Sequence, residues 1–236
     1  MNADISVILP YWERQEALKR SLTDYASIYE NTPLKLEFIV VDDGSPTEPA
    51  APVIHELRPY RFPLTLIQMP IKEHAKNPCV PINKAVAASS GNAIFLTSPE
   101  CIHVKPVLEQ LHEDHKRLGW NSVVMCSVYD ERDKKWMLHS VHCPSKNHFA
   151  NLMSRKLFDD VGGFDEDYRE GYCFDDCDFV YRLEAKNPVW HWRDDLRVIH
   201  VAVPWAKTKT MPDIKQKWQD NGVLFHKKWG VLPACI

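Results

Sequence analysis

As far as Leu96 the chain alternates short β-branched runs with helical apolar stripes, and this alternation restricts it to a parallel sheet covered by helices. Residues 5–9 read as a buried strand stopped by Pro10. Over 13–29, Leu18, Leu22, Ala26 and Tyr29 form the stripe of an amphipathic helix. A second strand is predicted at 36–41, a short helix at 52–57 and a third strand at 64–69, with a proline at each edge of that strand. The Ala-rich 83–90 predicts a helix ended by Gly91, and 93–96 a fourth strand. Over 105–118, Leu108, Leu111, His115 and Leu118 share one face of a covering helix.

The texture changes from Ser122. Strands are predicted at 122–129 and 136–142 around the polar turn 130–135, and a helix at 153–161 before Gly162-Gly163. A helix with an acidic start covers 175–186, a late strand 197–202, and a last helix opens near Pro212 and runs to Trp229-Gly230. We expect one α/β domain over 1–236, a nucleotide-binding half to residue 100 and an α+β half from 101, with no linker between them.

Composition narrows the function. Apolar residues make up 44% and charged residues 26% of 236, which excludes a disordered or fibrous chain. The net charge of −3 gives no footprint for polyanions, so general nucleic-acid binding is not expected. No run approaches the roughly 18 apolar residues of a membrane span. Seven scattered cysteines form no disulfide framework, which fits a reducing, cytoplasmic setting.

In an open α/β sheet, ligands bind outside the carboxyl ends of the strands. Three such ends carry polar residues here: Pro10-Tyr11-Trp12-Glu13, Asp42-Asp43-Gly44-Ser45 and Thr97-Ser98-Pro99-Glu100. Asp-Asp-Gly-Ser alone is also an ordinary turn. At a strand end, its two carboxylates can accept hydrogen bonds from a base and a ribose.

The order Ser6-Val7-Ile8-Leu9-Pro10-Tyr11, then Ile39-Val40-Val41-Asp42-Asp43-Gly44-Ser45, resembles the start of family 2 glycosyltransferases of the GT-A fold. Asn83 through Gly91, Gly162-Gly163-Phe164-Asp165-Glu166, Asp175-Asp176-Cys177-Asp178-Phe179 with Arg182, and Lys228-Trp229-Gly230 follow in the family's order. The resemblance implies a Rossmann-like, mostly parallel central sheet with helices on both faces. It also implies transfer of a sugar, with inversion, from a nucleotide-diphosphate donor (a UDP-sugar) to an acceptor hydroxyl, most simply on a glycan.

By the same resemblance, Pro10, Tyr11 and Glu13 lie by the nucleotide, Asp42 and Asp43 contact uracil and ribose, and Asn83 and Ser98 line the donor site. Asn83 reads equally as a helix N-cap. Asp176 takes the place of the catalytic base, with Asp175 beside it, and clustered carboxylates raise one another's pKa. An acidic first turn favoured by the helix dipole is the rival reading, above all for Asp175 and Asp178.

The family's metal-binding Asp-any-Asp is absent, since Thr97 and Pro99 stand in those places. Glu100, with His200 from the late strand, is then the expected site for Mn²⁺ or Mg²⁺; without the resemblance His200 reads as a core histidine. Lys207 and Lys209 are the alternative cations for the diphosphate. Cys173, Cys177, Cys143 and His142 have a weak zinc-like spacing, and free thiols fit better. One or two of Trp190, Trp192, Trp205 and Trp218 are expected to line the acceptor site. A GT-A-like binding module without catalysis is the competing reading of the whole chain.

Overall fold

A computed structural model describes residues 2–140, 142–146, 149–201 and 213–233. In chain order it contains β1 (Ile5–Tyr11), α1 (Gln15–Ile28), β2 (Leu36–Asp42), α2 (Ala51–Glu56), β3 (Leu64–Gln68), α3 (Cys79–Ala88) and β4 (Ala93–Leu96). There follow β5 (Cys101–His103), α4 (Val107–Leu118), β6 (Ser122–Asp130), β7 (Lys135–Leu138), β8 (Asn151–Ser154), α5 (Arg155–Asp160) and a 3-10 turn at Glu166–Glu170. The chain closes with α6 (Asp175–Glu184), β9 (Val189–His200) and α7 (Ile214–Trp229). No helix of the described residues is long and apolar enough to cross a membrane.

The strands form a single sheet in the order β3-β2-β1-β4-β8-β6-β9-β5, with β7 added to β6. The first four are parallel, as predicted. β8 runs antiparallel to both β4 and β6, and only the β6–β9 pair restores a parallel step in the second half.

Both faces of the sheet are covered, so the inner strands are apolar on both sides rather than alternating with polar residues. From β1, Ile5, Val7, Leu9 and Tyr11 join the core beneath α1, α2 and α4, while Ile8 joins the core beneath α3, α5 and α6. Each fully buried Ile, Val or Leu contributes about 1.5–3 kcal/mol. On the α1 side, Tyr25 and Tyr29 grip the imidazole of β5, with Tyr25 Oη 3.1 Å from His103 Nε2 and Tyr29 Oη 2.6 Å from His103 Nδ1. Tyr25, and not the half-buried Ala26, completes the buried stripe of α1.

The structure shifts several expected boundaries. β1 passes through Pro10 because β4 pairs only as far as Ile8–Leu96, so the side on which Pro10 lacks its N–H has no partner strand. α3 begins four residues before Asn83; Pro81 sits in its first turn, where no N–H is required. Asn83 is therefore inside the helix and is not its cap. Gly91 lies beyond that helix, where any Cβ would come within 2.4 Å of Ser6 Oγ, and its N–H donates to the same oxygen. The predicted helix at 153–161 conceals β8. Ser154 ends that strand and caps α5, accepting from Leu157 N at 2.9 Å.

Candidate active site

β2 and β3 lie on one side of β1 and β4 on the other, which makes the β1/β4 junction the sheet's topological switch point. A cleft of about 420 Å³ opens there. Pro10 and Tyr11 from the end of β1, Asp43 after β2, Ser98 and Glu100 after β4, Asp175 and Asp176 from α6, and His200 from β9 all line it. Residues far apart in sequence thus meet where the chain order predicts a ligand.

Three expected donor residues instead hold the loops that shape this cleft. Asp42 accepts from Ser45 N at 2.9 Å and from Ala50 N at 2.8 Å, using one oxygen for each. Glu13 accepts from Thr47 N and Glu48 N, both at 2.8 Å, and from the Thr47 hydroxyl, so it ties the β1–α1 loop to the β2–α2 loop. Asn83 Nδ2 donates to Phe164 O at 2.8 Å, and its Oδ1 accepts from Phe164 N at 2.8 Å, fixing the turn after Gly163. None of the three lines the cleft. Gly44 is required between the aspartates and Ser45, because its φ is +88° and a Cβ would overlap Pro70 O.

Asp43 is paired with Lys72; burial raises its pKa, and the Lys72 ammonium acts against that rise. The Tyr11 hydroxyl is buried and accepts from Arg14 N at 3.0 Å, and burial pushes its pKa up.

Across the cleft, Cys173 and Phe174 both adopt left-handed backbone, with φ of 58° and 71°. This unusual pair turns the chain sharply into α6 and places Asp175 and Asp176 at the cleft wall. Asn77 and Asn221 hold the turn by donating to Cys173 O at 2.9 and 2.8 Å. Asp175 is 3% exposed, and its pKa is pushed up to about 8, first by burial and then by the adjacent Asp176 charge. Asp176 is half-buried, and its Oδ1 accepts from Cys177 N at 2.8 Å.

Asp178, the third acid of the cluster, faces away from this chemistry. It is fully buried and bonded to Arg182 Nε at 2.8 Å, Lys228 Nζ at 2.7 Å and Trp229 Nε1 at 2.9 Å. Lys228 also reaches Asp165 at 2.8 Å, so Gly163-Phe164-Asp165, Asp178, Arg182 and Lys228-Trp229 form one structural knot joining α6 to α7.

The expected pair for Mn²⁺ or Mg²⁺ comes together, since β5 and β9 place Glu100 beside His200, with Val201 N donating to Glu100 O at 2.8 Å. The donor set does not fit a resident divalent ion, however. Among the described residues no group of three or more His, Cys, Asp or Glu could hold one. The Glu100 carboxylate is already taken up by the Arg14 guanidinium at 2.9 Å, and Arg14 is only 8% exposed. A dication on Glu100 would be crowded against a fixed positive charge. His200 Nδ1 lies 3.6 Å from Asp130 Oδ2.

Sequence reasoning missed Arg14, Asn77, Lys76 and Tyr172, all of which line the cleft. Arg14 stands directly after the strand end that drew attention to Tyr11 and Glu13, so the same rule reaches it. Among tryptophans, Trp12 lines the cleft, whereas Trp190 and Trp192 stack on each other in β9 and Trp218 packs on Phe174. Trp205, Lys207 and Lys209 lie outside the described residues. Cys143, Cys173 and Cys177 are thiols and not disulfides among the described residues.

No curated protein matches the chain in sequence. Among solved structures, S. aureus TarS superposes with a TM-score of 0.66 at 14% identity, over 97% of this chain and 44% of that one. S. aureus TarS 1-349 in complex with UDP-GlcNAc gives 0.71 at 14% identity, over 94% and 66%. The mannosyltransferase PcManGT from Pyrobaculum calidifontis, in complex with GDP-Man and Mn²⁺, gives 0.62 at 20% identity, over 86% and 58%. The chain thus spans less than half of the first TarS chain, and at these identities the likeness is one of fold, the GT-A fold. The model of glycosyl transferase family 2 matches residues 6–182, from β1 through the knot at Arg182, and on that match the chain belongs to glycosyl transferase family 2.

Proposed function

We propose that the chain is an inverting glycosyltransferase that moves a sugar from a nucleotide-diphosphate donor to an acceptor hydroxyl. The observation that carries this reading is the single cleft in which the ends of β1, β2 and β4 face Asp175 and Asp176. Family membership and the fold shared with structures holding UDP-GlcNAc or GDP-Man support it. The donor is a UDP-sugar, with Pro10, Tyr11, Asp43 and Ser98 along its nucleotide and Asp42, Glu13 and Asn83 shaping the loops around it. The acceptor is a glycan hydroxyl entering beside Tyr172 and Asp176.

Asp176 is the general base. Its Oδ1 is held by the Cys177 N–H, which leaves the other oxygen to take the acceptor's proton. The acceptor oxygen forms the new bond to the anomeric carbon as the bond to the diphosphate breaks, and the nucleotide leaves with that electron pair. Asp175 is buried beside it, and burial together with the Asp176 charge raises its pKa, which favours the neutral form and keeps a second negative charge away from the attacking oxygen.

The test is Asp176→Asn assayed with UDP-sugars and oligosaccharide acceptors. Turnover should fall by a factor of about 10²–10⁴ with donor affinity retained. An unchanged product yield would remove Asp176 from the role. Donor binding without turnover in the unaltered protein would favour the binding-module reading, and a product that retains the donor's anomeric configuration would exclude single displacement.

A further inference from the structure

A sugar nucleotide leaves as a diphosphate, and the charge growing on it must be met by a positive group close to the switch point. Among the described residues, the basic side chains in or beside the cleft other than Arg14 each face a carboxylate away from the end of β4. Lys72 is paired with Asp43, Lys76 is bonded to both oxygens of Glu170 at 2.6 and 2.7 Å, and His200 faces Asp130. Glu100, the one acid left from the lost metal motif, is bonded to Arg14.

Arg14 is built into the site. Its backbone N–H donates to the Tyr11 hydroxyl, its Nε to Glu100 Oε1 at 2.9 Å and its Nη1 to Glu13 O at 2.9 Å. Two of the three guanidinium nitrogens are thereby fixed. Nη2 has no hydrogen-bond partner among the described residues, in a side chain that is 8% exposed and lines the cleft between the ends of β1 and β4. A planar, permanently charged fork held on two sides with its third nitrogen unpartnered is suited to a phosphate oxygen.

Resting on the donor reading above, we propose that Arg14 takes the place of the divalent cation in this chain, binding the donor's diphosphate through Nη2 while Glu100 sets the plane of the guanidinium. Glu100 is then a positioning residue and not a metal ligand. The family's Asp-any-Asp and a buried Arg–Glu pair are two ways of placing positive charge at the same strand end, and the loss of the first at Thr97 and Pro99 accompanies the presence of the second.

The experiment is calorimetric titration of the full chain with UDP, GDP and uridine, each in EDTA and in Mn²⁺. We expect a nucleoside diphosphate, UDP first, to bind equally well in both. Arg14→Ala should weaken UDP at least tenfold in EDTA and leave uridine unchanged, and added guanidinium ion should restore part of the loss. Arg14→Lys, which keeps the charge and guards against misfolding, should show a smaller, phosphate-specific loss. Glu100→Gln keeps an acceptor for Nε and removes a negative charge, so UDP should bind as well or more tightly.

UDP binding that appears only with Mn²⁺ and disappears in Glu100→Gln would overturn the proposal and return Glu100 to a metal. Equal losses for uridine and UDP in both Arg14 variants would also overturn it, because they mark a collapsed pocket. If UDP and GDP bind in neither buffer while the unaltered chain melts normally, the donor reading itself fails and the proposal falls with it.

Discussion

Asp175 and Asp176 are adjacent in sequence, yet the turn at Cys173-Phe174 buries the first and leaves the second half-open at the cleft. Between the ordinary aspartate value of 3.8 and about 8, the folded chain therefore holds a proton on Asp175 that the unfolded chain has released. Its contribution to stability is full below 3.8 and declines as the pH rises, by about 1.4 kcal/mol per unit at most, until it levels off above 8. Asp175→Asn removes that dependence. Urea titrations from pH 5 to 9 should show the variant gaining on the unaltered protein as far as pH 8 and no further, whereas parallel curves would mean that Asp175 is ionised throughout. At this scale the sequence disclosed the acidic cluster but not its division of labour, since Asp176, Asp175 and Asp178 differ only in what the tertiary fold packs around them. Glu13 and Asp42 were legible as important and illegible in kind. Their carboxylates stand at strand ends, but backbone N–H groups from loops more than thirty and three to eight residues away, respectively, claim them.

α6 and α7 meet across a seam in which Phe174, Cys177 and Phe225 are buried and Asp178 is the central acceptor. Removing one partner from a buried ion pair leaves the others uncompensated, at a cost of about 3–5 kcal/mol. Asp178→Ala strands Arg182 and Lys228 together, so chemical denaturation should show a loss in that range, while Lys228→Met, which removes a one-third-exposed partner, should cost less. If Asp178→Ala is as stable as the parent, the seam is held by its aromatic contacts instead. Elements with long periodic stripes, α1 and α4, and the apolar strands of the first half were readable because their own pattern determines them. The four-residue β8 and the three-residue β5 were not, since runs that short become strands only by pairing with β4 and β9. The Trp-rich start of β9 was hidden because its residues are half-buried or exposed without an apolar alternation, and it becomes a strand by pairing with β6.

The halves divided at residue 100 share one sheet, because β4 of the first pairs with β8 of the second, and both core clusters draw side chains from each half. Calorimetry should accordingly give one unfolding transition, with the van't Hoff and calorimetric enthalpies in agreement. Two resolved transitions would show that the halves are separate folding units. The grip on His103 reaches across this same structure, drawing on α1, β5 and the start of α4, where Leu108 N donates to Tyr29 Oη at 3.1 Å. Each ring nitrogen of His103 thus faces one tyrosine hydroxyl, so a neutral ring donates to one tyrosine and accepts from the other. Burial holds this imidazole neutral down to a pKa of about 3. In a nitrogen-15 spectrum His103 would thus display one frozen tautomer from pH 5 to 9, a fixed reference line beside histidines that titrate, and its eventual shift in acid would coincide with collapse of the whole fold.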